Sequence, residues 1–188
     1  LGATLADVTV FGDLRQLNTS ATSVVGIDLN AVYGAQSDFG DLTFSLDVSY
    51  LFNFDEQFST LTPTLELVDT VTNPVDLRLR GGVGWTQTRF SATTYVNYVD
   101  DYLSDRVIGT PVPIASWTTV DLGVQVDLSG IADSFVFDGT EILFNVRNLF
   151  NQEPPSVDRQ QGALRFGFDT ANADGRGRTL SFQIKKRW

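Results

Sequence analysis

The chain has 188 residues, 42% of them hydrophobic, with a formal charge of -10 and a pI near 4.2. That length and apolar content suffice for a folded unit, while the acidity excludes a nucleic-acid binder, which needs a basic stripe to neutralise phosphates. Cys, His and Met are all absent, which removes thiol nucleophiles, Ser-His-Asp triads, ordinary zinc sites and most axial haem ligands, so no enzyme, metal or cofactor is expected.

The N-terminal stretch, LGATLADVTV, lacks the basic region and apolar core of a signal peptide, and no run approaches the roughly 18 consecutive apolar residues of a transmembrane helix. The missing initiator Met suits a mature form, a proteolytic product or a piece of a longer chain. Residues 1–20 are mixed, with room for a short strand at 8–11. From residue 23 the pattern has a period of two: Val25, Ile27, Leu29, Ala31 and Tyr33 alternate with Gly26, Asp28 and Asn30. A turn rich in Gly, Ser and Asp at 34–40 leads to the longest alternating run, 41–54. There Leu42, Phe44, Leu46, Val48, Tyr50, Phe52 and Phe54 face one way, Thr43, Ser45, Asp47, Ser49 and Asn53 the other, and Leu51 breaks the pattern.

After Phe54 the alternation stops for about twenty residues, longer than the usual connection. It resumes with Val75, Leu77, Leu79, Val83 and Trp85 against Asp76, Arg78, Arg80 and Thr86. A tight turn at 87–89 precedes Phe90, Ala92, Thr94, Val96 and Tyr98, and a second long link covers 104–114. Val120, Leu122, Val124, Val126 and Leu128 then alternate with Thr119, Asp121, Gln125 and Asp127. A moderate link at 129–140, a strand at 141–150, the longest break at 151–177 and a last strand at 178–188 complete the chain.

The reading is all-β and antiparallel, with about seven long strands joined alternately by shorter and longer links. At about 3.3 Å per residue, positions 42–54 span about 43 Å, and tilted by about 40° they still rise roughly 33 Å, enough to cross the apolar band of about 25 Å on an outer-membrane barrel. Tyr33, Trp85, Trp117 and Trp188 lie near strand ends, as in an interfacial aromatic girdle. With the last strand running inward, the links at 54–74, 104–114 and 151–177 face outside. Asp28, Asp47, Arg78, Arg80, Asp121, Asp127, Asn145 and Arg147 fall on the polar, lumen-facing side, where they contact a ligand or simply hydrate the lumen and pair across strands. Seven strands is an odd number, so either a strand at 5–14 closes a small eight-stranded barrel of structural or passive-pore type, or the segment belongs to a larger wall. A soluble sandwich that binds carbohydrate is a third reading, since one-sided alternation also suits a sheet packed on a core.

The carboxylates Asp55, Glu56, Glu66, Asp69 and Asp76 make the first long link acidic; they attract a cation, hold calcium that bridges lipopolysaccharide, or form a solvated face. Thr170, Asn172, Asp174 and Gly175 are spaced like part of a calcium loop, but its twelfth position is Ser181, which cannot chelate. Gly81, Gly82 and Gly84 sit within an alternating strand with no helix after it, so they mark close strand packing or a bend instead of a phosphate cradle.

The C-terminal third resembles the TonB-dependent outer-membrane receptors. Asn145, Val146, Arg147, Asn148, Leu149 and Phe150, followed by Asn151, Pro154 and Pro155, look like that family's Asn-Leu-Phe end to its penultimate strand. Phe168, Asp169, Gly177, Arg178 and the alternating strand that ends on Trp188 look like its terminal segment, and 117–128 and 74–85 fit the strands before it. The resemblance implies a 22-stranded barrel of a Gram-negative outer membrane, plugged by an N-terminal domain and energised through the TonB complex. It further implies uptake of a scarce nutrient of the siderophore, cobalamin or glycan class. Residues 1–188 would then be the C-terminal portion of that barrel, about its last third, with outer-membrane lipid, lipopolysaccharide, the remaining barrel and the plug as partners. Leu180, Phe182, Ile184 and Trp188 resemble the signal read by the barrel-assembly machinery, with Lys186 interrupting its apolar spacing.

Overall fold

The computed structural model describes residues 20–104, 110–131, 135–157 and 167–188. Ten strands appear: β1 (Ala21–Ser37), β2 (Gly40–Gln57), β3 (Leu65–Glu66), β4 (Leu77–Gln87), β5 (Phe90–Val99), β6 (Tyr102–Ser104), β7 (Val112–Ile114), β8 (Trp117–Asp127), β9 (Thr140–Arg147) and β10 (Thr179–Lys186). Seven of them form one antiparallel meander in the order β1-β2-β4-β5-β8-β9-β10, so each long strand pairs with its nearest long neighbours in sequence. β3 pairs with the outer end of β2, and β6 and β7 form a separate small hairpin.

Register puts the alternation to use. Cross-strand partners share a face, and the ladder Tyr33, Phe44, Val83, Thr94, Leu122, Val146 and Leu180 runs through all seven strands on the apolar side. A slip by one residue in β4 would carry Arg78 and Arg80 to that side, which makes the register strongly specified. Among the described residues no second sheet packs on this apolar face, and Ile27, Leu29, Phe182 and Ile184 stay exposed there. A soluble sandwich requires such a second layer, and the described residues do not supply one. β1 and β10 each have one long-strand partner and are not paired with each other; the strand expected at 5–14, needed for an eight-stranded closure, lies outside the described residues.

Several boundaries differ from the sequence reading for identifiable reasons. The expected turn at 34–40 shrinks to residues 38 and 39, because Gly34, Ala35, Gln36 and Ser37 continue the β1 ladder against β2. The apolar face of β2 does not run through Phe54: the register shifts between Val25 and Gly26, leaving Phe52 as a bulge, so that Phe54 stands opposite Val24 and Leu51 opposite Gly26. One extra residue inverts the parity beyond it. β9 ends at Arg147, three residues before Phe150, where Asn148 adopts φ +51° and Asn151 φ +55°. Asparagine tolerates this left-handed geometry better than most residues, and it cannot continue a strand.

The buried apolar core lies at one end of the sheet. Val71, Val75, Tyr102, Ile114 and Val157 cluster there with Val99 packed beside them. These residues come from the connections β2–β4, β5–β8 and β9–β10, which are the three long links with wider bounds than the alternation gave: Val75, expected on the strand, belongs to the first, and Tyr102, expected ahead of the second, belongs to the second.

Candidate functional site on the polar face

All eight sequence-predicted site residues lie on the polar face by register. What they do there differs. Asp28 stands opposite Ser49, and Asp47 accepts a hydrogen bond from Asn30 and stands opposite Arg80. Arg80 is the centre of a transverse polar band. Its Nη1 donates to Asn97 Oδ1 at 2.6 Å, and its guanidinium lies 4.0 Å from Asp121 and 4.0 Å from the centroid of the Tyr95 ring. Asn97 Nδ2 donates to Asp121 at 3.0 Å, and the other Asp121 oxygen accepts the Asn148 N–H at 3.0 Å. A chain of hydrogen bonds thus links β4, β5, β8 and the turn after β9.

Gly82 makes this arrangement possible. A Cβ there would meet the Tyr95 ring at 2.6 Å and the Ser45 hydroxyl, so the ring lies against the bare backbone and offers its outer face to Arg80. The close packing expected of Gly81, Gly82 and Gly84 is found at Gly82 alone: a Cβ at Gly81 would meet nothing within 4 Å, and one at Gly84 nothing nearer than 3.7 Å. Gly123 is similar to Gly82, with Asn145 Oδ1 3.0 Å from where a Cβ would sit.

Between β4, β5, β8, β9 and β10 the polar face forms a recess of about 860 Å³, to which Arg80, Asp121, Asn145 and Arg147 contribute. A smaller hollow of about 360 Å³ takes Asp28, Asp47, Arg78 and Arg80. Asp127 belongs to neither: it accepts from Ser129 N at 2.9 Å at the short-turn end of the sheet. Arg78, too, is turned away from the recess, and its guanidinium donates to Asn172 Oδ1 and to the Ala171 carbonyl.

Trp117 is a correction. Expected in an outward aromatic girdle, it stands opposite Val99 on the polar face, because its odd number places it in step with Thr119 and Asp121. Its indole N–H is buried with no acceptor among the described residues, and it lines the larger recess. Tyr95 and Asn97 were missed as site residues. Their only sequence signal was parity, since they alternate with Val96 and Tyr98.

No protein-family model matches the chain, and no curated protein matches it. Among solved structures, two mutant forms of the ferric enterobactin receptor of Pseudomonas aeruginosa are similar, with TM-scores of 0.52 and 0.53 and 18% identity. The matches cover 86% of this chain but 22% of the receptor chain. The likeness is one of fold: an all-β antiparallel sheet of the kind found in part of that barrel. Both neighbours are receptors by name.

Within that fold the residues that resemble a family motif have clear local roles. The Asn148 side chain pairs with both backbone groups of Gln152, donating to its carbonyl at 2.9 Å and accepting from its N–H at 2.8 Å. Leu149 N–H continues the ladder to Val120 O, and Asn151 Oδ1 accepts from Arg178 N. Phe150 is exposed, and Pro154 and Pro155 are half-buried in the following segment. At the other end, Leu180, Phe182, Ile184 and Trp188 are all exposed, and Trp188 stacks on Phe135 at 5.3 Å. Lys186 keeps its place in the register of the apolar stripe. It bends its ammonium onto the carbonyls of Phe135 and Asp138, above the rings of Phe135 and Trp188.

The acidic link is used structurally. Glu66 accepts from Phe54 N and Asn53 Nδ2, bonds that hold its carboxyl below the usual range, and Asp69 accepts from Asp76 N at 2.7 Å. Among the described residues no cluster of His, Cys, Asp and Glu is suited to a metal ion.

Proposed function

We propose that residues 1–188 are a C-terminal stretch of barrel wall from a TonB-dependent outer-membrane receptor that takes up a scarce nutrient of the siderophore, cobalamin or glycan class. The observation that carries this is a single-layered meander with one continuous apolar face and one polar face, in a fold shared with about a fifth of a ferric enterobactin receptor. A one-layer sheet with an apolar side is stable when that side meets lipid, and its open edges are satisfied when further strands close the barrel. The register is then fixed by solvent as well as by packing: Arg78 or Arg80 on the lipid side would each cost about 2–4 kcal/mol at the bilayer midplane.

In this reading the polar face lines the lumen, and the recess around Arg80, Asn145, Arg147 and Trp117 meets the plug or the passing ligand. The three long links face outside and contribute recognition, while Leu180, Phe182, Ile184 and Trp188 address the assembly machinery. The decisive experiment is the intact mass, under full denaturation, of the outer-membrane species that contains residues 178–188. A mass several times 20.7 kDa, with a plug sequence upstream, is expected. A species of 20.7 kDa that purifies without a larger barrel fragment would overturn the proposal.

A further inference from the structure

The three long links are joined through one buried carboxylate. Asp169, in the third link, is fully buried and Asn172 beside it nearly so. Asp169 Oδ2 accepts from the Thr72 N–H of the first link at 2.9 Å and from Asn172 Nδ2 at 2.8 Å, while Oδ1 accepts from Ala171 N at 3.0 Å. The buried Tyr102 of the second link lies beside this carboxylate and Asn172; burial, then the Asp169 charge, push its phenol well above its ordinary pKa. Asn172 Nδ2 reaches the Asn73 carbonyl at 2.9 Å, and its Oδ1 receives Arg78 from the wall strand β4. Around these bonds lies the apolar cluster, to which the first link gives Val71 and Val75, the second Tyr102 and Ile114, and the third Val157. Backbone bonds from Val71 N to Leu103 O and from Leu103 N to Asp69 O join the first two links directly.

We propose that the described parts of the three links form one cooperative unit, assembled on Asp169 and tied to the wall by Arg78, which opens as a whole. The physical reason is that the links satisfy some of their buried groups only through one another. If the third link leaves, the Thr72 N–H loses the Asp169 carboxylate and the Tyr102 phenol loses its polar neighbours inside an apolar setting, where an unmet polar group is costly. If the first link leaves, Val71 and Val75 withdraw from the cluster that shields Asp169. Each departure destabilises the remaining two, which is the condition for a single opening unit. The inference deepens the proposed function by making the outward surface one preformed platform, and it rests on that reading only for which side of the membrane the platform faces.

The test is hydrogen–deuterium exchange, followed by mass spectrometry, on the full-length protein in its membrane or detergent. In the unaltered protein at alkaline pH, where openings are read directly, peptides covering 67–73, 100–104 and 167–173 are expected to exchange with one common opening rate. Asp169→Asn replaces one acceptor oxygen by a donor that faces either the Ala171 or the Thr72 N–H. It is expected to raise exchange in all three peptides by at least about tenfold, the factor carried by one hydrogen bond to a carboxylate, with β5 and β8 unchanged. Tyr102→Phe, milder and close to isosteric, is expected to do the same to a smaller degree. Three separate opening rates, or a rise confined to 167–173, would overturn the proposal. Exchange is read whether or not the protein transports anything, so failure here is distinct from failure of the receptor assignment.

Discussion

Replacing Gly82 by Ala adds a single methyl group, yet the site around it predicts a loss well above a surface substitution. The new Cβ would lie 2.6 Å from Tyr95 Cε1 and 2.7 Å from Cδ1, distances no relaxed pair of carbons adopts, so the ring must lift. Overpacking of this kind costs about 1–3 kcal/mol. The lifted ring also loses the Arg80 guanidinium now 4.0 Å from its centroid, worth about 0.5–1 kcal/mol at an exposed site. Against this stands the better strand conformation of alanine, about 0.5–1 kcal/mol in its favour. The expected net loss is about 2 kcal/mol, read as a shift in the urea unfolding midpoint of the full-length protein in detergent. The new Cβ would also meet the Ser45 hydroxyl, so in a background carrying both Tyr95→Ala and Ser45→Ala the close contacts are gone and the same substitution should be neutral or slightly stabilising, giving a coupling of about 2 kcal/mol in the mutant cycle. Equal destabilisation in both backgrounds, or none in the first, would refute the stacked arrangement.

Asn148→Ala removes the paired bonds to Gln152 and strains a left-handed backbone, for a loss of about 2–3 kcal/mol; Asn148→Gly should recover about 1 kcal/mol of it, and equal losses for both would show that conformation plays no part. Lys186→Met strips a cation from two carbonyls and two rings, so the amides of residues 135–140 should exchange with deuterium faster than in the unaltered protein, and an unchanged rate would remove the clamp. Asp69 supplies a pH dependence: burial first, and the carboxylates of Asp76, Asp100 and Asp101 after it, raise its pKa against the opposing bond from Asp76 N. A raised acid contributes stability that is full below its ordinary value near 4 and lost as pH rises through the folded value. Protection of residues 67–76 should therefore increase on acidification from pH 7 to pH 4 after correction for intrinsic exchange, and Asp69→Asn should abolish the change.

The seven wall strands were legible because alternation is a local signal with a simple cause: opposite faces meet different surroundings. It placed Asp47, Arg80, Asp121 and Arg147 on one side without any contact being known. It failed where parity changes without warning. The bulge at Phe52 was visible only as the stray Leu51, and Trp117 was assigned by residue type when its position in the alternation put it on the other face. The links were opaque for a deeper reason. Their order comes from residues far apart in sequence, such as Thr72 and Asp169 or Arg78 and Asn172, and such bonds leave no period. A buried aspartate in a loop looks the same in a sequence as a solvated one.

A meander in which every strand pairs with its neighbours is easily altered two strands at a time. A hairpin can be duplicated, deleted or exchanged between relatives while the flanking ladders are kept, which makes the wall a modular object. The shared carboxylate works against that freedom. A hairpin exchanged alone would bring a link lacking the Thr72 N–H, the Tyr102 hydroxyl or Asp169 itself, and would leave its neighbours with buried groups unmet. The smallest portion of this wall that can be grafted into another barrel with its outer surface intact therefore runs from β2 to β10. Chimeras cut inside that span should assemble a sound wall beneath a disordered rim.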